Sequence, residues 1–428
     1  MQQILIIAKQ TFRESVRNKI LIIFIILSLI AICCTFFMPA VGGVSEKLKV
    51  VESMCLRFIT FFGMLAAILL SASSIPADIE GKLLWTVITK PISRANLIFG
   101  KITGFIYIIG LLLIIMGGAS YALIKFTALK QNAKDAKVLV AREKYDASDL
   151  RVTGESAKII GDYHWIGGGG KGTSVWEFKG LRYEKIPDDF EIETKLFAQS
   201  GNRAKKIPVI IKIINPYAGT AKTETIEVYN SKPATLKIKG EALEGSKKIT
   251  VVMAPKNTGD FIGMKPDSLK IFLGEKSFEY NFLKGLAIIS LQFVLMIVIA
   301  TLGSTFLSLP VNILFCLFIF FCGNIIDFMR DLSTVISVFE THEHDHGIST
   351  VVKKPGDFVI LFNYVLKNPL MVLSYILPNF KNFNVGHYFI ESVNIPFKNI
   401  FASFGYTILY VLFCLPVSFM IFNRREIA

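Results

Sequence analysis

Six long apolar runs alternate with polar segments along the chain. Each run has roughly 16–24 residues, and about 20 residues are needed to cross a hydrocarbon core of about 30 Å. The fifth run is the shortest and reaches spanning length if it begins near Ser308 and ends near Met329. The runs therefore predict an α-helical polytopic membrane protein with six transmembrane helices, at 20–38, 58–75, 102–123, 286–309, 311–326 and 400–422.

A polar segment of about 155 residues lies between the third and fourth runs. Its first part, 125–151, has mixed charge and is expected to be a helical or irregular stalk, and Gly167–Gly170 is expected to be a flexible joint. Short alternating runs separated by turn residues follow, a pattern typical of a mainly-β domain, sandwich or jelly-roll-like. The predicted strands are 174–178, 190–197, 207–214, 223–228, 234–238, 248–253 and 268–272.

Composition narrows the class of protein. The chain is 52% hydrophobic and 19% charged, which excludes a disordered chain and argues against an ordinary soluble enzyme. The formal net charge of +14 first suggests nucleic acid or an anionic membrane surface as a partner.

The positions of the basic residues assign that charge to the membrane. By the positive-inside rule, the N-terminus, the loop 77–101 and the C-terminus are cytoplasmic, and 126–282 is extracytoplasmic. An even number of spans agrees with this topology, and no nucleic-acid partner is needed. The residues that set it include Lys9, Arg13, Arg17, Lys19, Lys82, Lys90, Arg94, Lys101, Arg424 and Arg425.

Two motifs imitate known sites. The stretch 167–174 (GGGGKGTS) resembles a P-loop, but Trp165 stands where the first Gly is required and Gly172 where Ser or Thr is required. We interpret it as a linker, so the chain itself should bind no ATP. The six cysteines lie in or beside the apolar runs and are expected to pack there, without a disulfide framework or metal spacing.

A histidine cluster follows the fifth run. His342, His344 and His346 alternate with Glu343 and Asp345, a donor set that suits zinc or copper and makes the three histidines a weak candidate metal site. The alternative is a solvated polar turn in an outer loop.

Asp, Glu, Lys and His are missing from the six runs. Ion-coupled transporters keep such groups inside the bundle as relays or ligands. A secondary transporter is therefore disfavoured, and uphill transport would draw its energy from outside the chain.

Two segments on the cytoplasmic side are amphipathic. Residues 1–17 predict a helix in the membrane interface, with one face formed by Leu5, Ala8, Phe12 and Val16; the alternative is an extension of the first span. Residues 77–101 predict a short helix, a break at Lys90-Pro91 and a second helix capped by Ser93. A charged helix exposed between two spans favours a docking element over a mere connector.

The loop resembles that of the ABC-2 type permeases, particularly the branch of the multicopper-enzyme-maturation and gliding-type permeases. The resemblance is carried by Glu80-Gly81, the hydrophobic helix 83–88, Lys90-Pro91-Ile92-Ser93-Arg94 and Gly100-Lys101, with support from 13–18, 377–380 and 423–426. It covers about 1–125 and 283–428. The large insertion between spans three and four departs from the minimal family.

This resemblance implies a permease subunit that dimerises with a second copy or a paralogue and binds cytoplasmic ABC ATPase subunits, which would carry ATP and magnesium. It implies an interfacial elbow helix containing Lys9, Phe12, Arg13 and Arg17. The ATPase-coupling residues would be Asp78, Glu80, Gly81, Leu84, Lys90, Pro91, Ser93 and Arg94.

We therefore expect a non-catalytic transmembrane subunit of an ATP-driven exporter in a prokaryotic cytoplasmic membrane, whose substrate the sequence leaves open. The alternative is a membrane-anchored scaffold that presents the β-sandwich to envelope partners or glycans. The predicted domains are 1–17 (elbow helix), 18–125 (spans one to three), 126–282 (stalk and β domain) and 283–428 (spans four to six, with an outer loop at 330–397).

Overall fold

The structure is a computed structural model that describes residues 2–39, 44–80, 93–130, 139–181, 183, 186–200, 206–326 and 371–424. The chain divides into two compact units. A helical unit contains 1–138, 282–391 and 395–428, and a β unit contains 139–281 and 392–394.

The described helices are mostly long and apolar. They are α1 (Gln2–Arg17), α2 (Lys19–Cys34), α3 (Val44–Glu80), α4 (Arg94–Lys130), α5 (Phe278–Ser304), α6 (Leu309–Asn324), α7 (Gly386–Ile390) and α8 (Phe397–Arg424). Short 3₁₀ turns follow α2, at Thr35–Phe37, and precede α7, at Phe380–Phe383.

Within the described residues, five helical segments are long and apolar enough to cross a membrane, judged by length and composition. They are Lys19–Phe37, Lys47–Ile79, Arg94–Lys130, Phe278–Ser304 and Phe397–Arg424. The multi-pass layout is confirmed at this level. Helix α6 has only 16 residues, about 24 Å at 1.5 Å per residue, and its expected extension to Met329 lies outside the described residues. The sixth span therefore stays a prediction.

The amphipathic N-terminal segment is a helix of its own. Asn18 has an extended backbone (φ −73°, ψ 121°), and its side chain caps α2 by accepting a hydrogen bond from the Ile20 N–H at 3.0 Å. This break separates α1 from α2, so the alternative of a continuous extension of the first span is wrong.

A proline inside α3 creates a polar contact in the interior of the helical unit. Pro76 has no N–H to donate to the carbonyl of Ala72. The buried Asn312 amide of α6 donates to this carbonyl at 3.2 Å and to Ala300 O of α5 at 3.0 Å. Because unpaired backbone groups are costly in an apolar interior, Asn312 connects three helices at the point where α3 needs a donor.

The described strands of the β unit are β1 (Val140–Asp146), β2 (Asp149–Thr153), β3 (Lys158–Ile160), β4 (Tyr163–Gly167), β5 (Thr173–Lys179), β6 (Asp189–Lys195), β7 (Phe197–Ser200), β8 (Lys206–Asn215), β9 (Thr220–Tyr229), β10 (Pro233–Lys239), β11 (Lys248–Pro255), β12 (Asp260–Met264) and β13 (Leu269–Ser277). They form three antiparallel sheets, in the orders β1-β13-β6-β10, β2-β5-β11-β8-β9 and β3-β4-β12-β7.

One hydrophobic core serves all three sheets. In the longer strands alternate side chains are buried, as in β8 and β11, and they meet in a single cluster. All seven strands predicted from alternation are present, and the mainly-β character of the insertion is confirmed. Fully buried members of the cluster include Trp176, Ile192, Ile211, Val251, Ile262 and Ile271.

The expected stalk is wrong in its second half. Helix α4 continues to Lys130, but β1 and β2 occupy 140–146 and 149–153. Residues such as Arg142, Glu143 and Lys144 have weak strand preferences, and pairing of β1 with β13 overrides them. A distant segment also joins β1, because Arg142 N–H donates to Ser392 O at 2.9 Å and Asn394 N–H to Arg142 O at 2.8 Å.

The expected flexible joint at Gly167–Gly170 is also wrong. The four glycines begin a tight turn between β4 and β5 in which Gly169 and Gly170 have positive φ, 72° and 79°. A Cβ on Gly168 would collide with Asn257 O and would lie 2.8 Å from Pro255 O. Glycine is required at Gly168 because the backbone there passes close to the segment that connects β11 to β12.

Candidate coupling site at the start of helix α4

The first turns of α4 contact three other helices of the helical unit. The turn begins at Ser93, whose side-chain oxygen accepts a hydrogen bond from the Asn96 N–H at 3.2 Å. This is the capping role predicted for Ser93. The cap fixes where α4 starts and therefore which faces Arg94, Asn96 and Lys101 occupy.

Lys101 connects α4 to α3. Its side chain is 6% exposed and forms an ion pair with Asp78, which is 18% exposed. The Lys101 ammonium also donates to Ser74 O at 3.1 Å and Ser74 Oγ at 2.8 Å. A buried ammonium is tolerated when its donors are satisfied, and here the end of α3 supplies the acceptors.

Arg94 connects α4 to the end of α8. Its guanidinium donates to Phe422 O at 2.8 Å and Asn423 O at 3.1 Å, and it lies 5.7 Å from the centre of the Phe422 ring. The last carbonyls of a helix have no partner within the helix, and a cation there also opposes the negative end of the helix dipole. Arg94 thus caps α8.

Helix α1 packs on α4 through two glycines. A Cβ on Gly100 would lie 2.6 Å from Ile7 Cβ, and one on Gly104 would lie 2.7 Å from Thr11 Cβ. The Asn96 amide adds a hydrogen bond to Gln3 Oε1 at 2.8 Å. Small residues let the two helices approach closely, so α1 is seated on α4 by shape.

The predicted elbow residues lie away from this contact. Lys9, Arg13 and Arg17 are exposed, and Phe12 is half-buried. Apolar side chains beside them are also exposed, among them Leu5 at 55%. One face of α1 therefore packs on protein and the others present apolar and basic groups, the pattern of an interfacial helix.

The structure describes both the backbone and the side chain of three predicted coupling residues, Asp78, Ser93 and Arg94. Asp78 and Arg94 make the intramolecular contacts above, which differs from the expectation of exposed charged ends, and Ser93 caps α4. Glu80 ends α3, but its side chain is outside the described part. Gly81, Leu84, Lys90, Pro91 and the candidate metal residues His342, His344 and His346 also lie outside the described residues.

Sequence reasoning missed the buried ionisable groups of the long helices. Glu52 of α3 is 5% exposed and Lys284 of α5 is 6% exposed. The ammonium of Lys284 donates to Ile395 O at 3.1 Å and lies 4.5 Å from the centre of the Phe397 ring. These residues fall just outside the hydropathy runs, and the helices extend past the runs. Continuing the helical period across the polar flanks would have indicated Glu52 and Lys101.

Among the described residues, no group of three or more His, Cys, Asp and Glu side chains is placed to hold a metal ion. The contacts at the start of α4 are instead backbone caps, one ion pair and close helix contacts.

No family model matches the chain, and no curated protein matches it. Similarity to solved structures is weak. The CBM22-1 and GH10 modules of the endo-1,4-β-D-xylanase Xyn10B from Clostridium thermocellum, complexed with xylohexaose, match 32% of this chain and 28% of their own, at 12% identity and a TM-score of 0.22.

Two further structures are similar at the same level. TmCBM61 in complex with β-1,4-galactotriose matches 30% of this chain and 91% of its own, at 14% identity and a TM-score of 0.18. The 4-O-methyl-α-glucuronidase BtGH115A matches 54% of this chain and 40% of its own, at 10% identity and a TM-score of 0.20. TM-scores this low establish no common fold, so the chain is assigned to no family.

Proposed function

We propose that the chain is the membrane-spanning permease subunit of an ABC-2 type exporter that works with a separate ATPase subunit. In this proposal the chain has six spans, dimerises, and resides in a prokaryotic cytoplasmic membrane with both termini inside. The β unit is extracytoplasmic, and its shared core supports a two-layer sandwich. The chain is not an enzyme; ATP and magnesium belong to the partner.

The observation that carries the proposal is the convergence of α1, α3 and α8 on the start of α4. The segment 81–92, which carries most of the motif of the ABC-2 permeases, connects α3 to α4 in the sequence. Because Asp78 and Lys101 tie those two helices together, a push on this segment would move both. Arg94 would pass the movement to α8, and Gly100 and Gly104 would pass it to α1.

Such an arrangement suits a transporter that switches between two access states. ATP binding on the partner would close the ATPase pair and displace the segment 81–92, and the helices would follow as a packed group. ATP bound to the partner would favour one of the two arrangements of these helices, and no charge would need to move through the bundle.

The proposal is tested by co-expressing the chain with an ABC ATPase encoded beside it and by purifying through a tag on the permease. We expect the ATPase to co-purify and Glu80→Lys to abolish both co-purification and vesicle transport. Lys9→Glu, on the exposed face of α1, is a charge-changing control that should retain ATPase binding.

Arg94→Glu is expected to give the same loss, but it also removes the cap of α8. Arg94→Lys therefore serves as its structural control, since it keeps the charge near the Phe422 and Asn423 carbonyls. If no ATPase co-purifies and both charge reversals leave activity unchanged, the transporter proposal fails. A scaffold that presents the β unit to envelope partners or glycans would then be the better account.

A further inference from the structure

The sheet β3-β4-β12-β7 has an aromatic outer face. Its register pairs Ile262 with Ile166 and Met264 with His164 on the core side, where both members of β12 are fully buried. Side chains alternate between faces along a strand. The opposite face therefore carries Tyr163, Trp165, Phe197, Phe261, Ile160, Lys158, Gln199 and two glycines, Gly167 and Gly263.

Two of the rings, those of Trp165 and Phe261, each have a glycine as register partner, which leaves room for the ring over the neighbouring strand. A Cβ on Gly263 would lie 2.8 Å from both Cε2 and Cζ2 of Trp165, its register partner, so the indole covers that glycine. A Cβ on Gly167 would lie 3.0 Å from Cε1 of Phe261, again its register partner. Trp165 and Phe261 thus reach across the β4–β12 pair in opposite directions, and together with Tyr163 and Phe197 they make up what we call the aromatic platform.

The platform remains open to solvent. Phe261 is 43% exposed and Phe197 is 39% exposed. Phe197 and Tyr163 meet edge to face across β12, with ring centres 4.9 Å apart. Large aromatic side chains left exposed on a flat sheet contribute little to the core, and a contiguous patch of this kind marks a binding surface.

The rim of the platform is cationic. Lys158 is directly opposite Trp165, is exposed, and forms no ion pair with any residue that the structure describes. The ammonium of Lys265 lies 4.4 Å from the centre of the Tyr163 ring and 3.5 Å from Asp162 Oδ2. The Lys265 ammonium thus has a carboxylate partner, whereas the Lys158 ammonium, next to Trp165 in the register, has none among the described residues.

We propose that this face binds an acidic saccharide. The C–H face of a pyranose ring is flat and apolar and can stack on the half-buried indole of Trp165 and on the exposed ring of Phe261. A uronate carboxylate of the same chain would pair with Lys158, and Gln199 and Asp162 would bond to hydroxyl groups at the rim. An acidic saccharide therefore has both of the features that this face would recognise, a flat apolar ring face and a negative charge.

A membrane surface fits the geometry less well. Interfacial anchoring depends on aromatic side chains whose bodies reach the headgroup region, whereas the indole of Trp165 is half-buried and lies over Gly263. The saccharide site goes beyond the proposed transport function and is independent of it, because none of its residues takes part in the contacts at the start of α4.

The test uses the full chain in lipid nanodiscs and affinity electrophoresis through gels that contain alginate, polygalacturonate, hydroxyethylcellulose or polyglutamate. We expect retardation by at least one of the two uronate polymers, weakened by added salt, and none by polyglutamate. Trp165→Ala should weaken binding roughly tenfold or more. Lys158→Gln should weaken it and remove most of the salt dependence.

Matched variants separate binding from folding. Trp165→Phe keeps a ring over Gly263 and should retain most of the affinity, and Tyr217→Ala removes a 78% exposed ring elsewhere in the unit and should retain all of it. Binding that survives both Trp165→Ala and Lys158→Gln overturns the proposal, as does no retardation by either uronate polymer. Trp165-dependent binding to anionic lipid vesicles without saccharide binding also overturns it, in favour of a lipid surface.

Discussion

Lys101 and Asp78 form an ion pair between the second turn of α4 and the last turn of α3. Ser74 of α3 supplies two more acceptors to the same ammonium, so Lys101 is held at three points by one helix end. Lys101, one of the basic residues from which the topology was predicted, is therefore part of the internal structure of the helical unit. One of its lysines fixes the geometry of the two helices that the segment 81–92 connects.

Removing one member of this pair should destabilise the helical unit. Asp78→Asn or Lys101→Met leaves a charged or polar group buried without its partner, at a cost of about 3 kcal/mol. The double variant Asp78→Asn/Lys101→Met should recover part of that loss. Thermal unfolding in detergent micelles measures it, with Lys9→Met on the exposed face of α1 as the control.

A double variant that loses the sum of the two single losses would show that the residues act independently. The ion pair would then not be what joins α3 to α4.

The contact between α1 and α4 should depend on Gly100 and Gly104. Alanine at either position places a Cβ within 2.6–2.7 Å of Ile7 or Thr11, so α1 must shift, at a cost of about 1–3 kcal/mol. Gly110→Ala is the matched control, because nothing lies within 4 Å of its Cβ position. Alanine there should be neutral or slightly stabilising.

Disulfide trapping measures the same contact directly. A cysteine pair replacing Gln3 and Asn96, whose side chains are hydrogen-bonded, should crosslink more slowly in the Gly104→Ala background. Equal rates in the Gly104→Ala and Gly110→Ala backgrounds would contradict the proposed fit.

The strands that sequence reasoning predicted are those whose alternation is long and clear. In β8 the buried residues Ile207, Val209, Ile211 and Ile213 repeat with period two, so the strand is visible without knowing its partners. Strand β3 has three residues, all exposed, and β12 contains Gly263, so neither carries such a pattern. Their pairing is set by neighbours that are distant in sequence.

The candidate sites were only partly predictable for the same reason. The cap at Ser93 and the amphipathic α1 follow from local sequence, and both were predicted. The pairing of Asp78 with Lys101 and the seat of Trp165 on Gly263 are tertiary contacts. The contact of Trp165 with Gly263 could not be predicted, because a single glycine in a strand indicates that another group comes close but not which group it is.

Acid should weaken the β unit through Glu177. Lys179 and Lys248 each lie 3.2 Å from Glu177 Oε2, and their hydrogen bonds lower the pKa of this carboxyl. Because the folded-state pKa is below the unfolded value, the stabilisation is present above the unfolded pKa, about 4.3. It is lost as the pH falls through the folded-state pKa.

Glu177→Gln should therefore unfold at a temperature that depends less on pH between about pH 5 and pH 3. Thermal unfolding followed by circular dichroism over this range measures the difference. Glu155→Gln, at an exposed position without an ion pair in the described part of the chain, is the control and should follow the unmodified chain. If the unfolding temperature of Glu177→Gln and of the unmodified chain changed with pH in the same way, the loss of stability in acid would be due to other carboxyl groups.

The turn between β8 and β9 should depend on one buried amide. Asn215 is 1% exposed. Its Nδ2 donates to Ala242 O at 3.3 Å and Glu244 O at 2.9 Å, and its Oδ1 accepts from the N–H groups of Tyr217 at 3.0 Å and Ala218 at 3.2 Å. Every donor and acceptor of the side chain is therefore used, and each partner is a backbone group.

Asn215→Ala removes the side-chain partner of these four backbone groups and should cost about 1–3 kcal/mol. Hydrogen exchange should accelerate at the amides of Tyr217 and Ala218 while those of β11 change little. Asn230→Ala is the matched control, since Asn230 accepts hydrogen bonds from the Ala198 N–H and the Ser231 hydroxyl at an exposed site. Exchange at Tyr217 that matches the unmodified chain would mean that strand pairing alone holds the turn, since the ten paired positions of β8 and β9 end at Asn215.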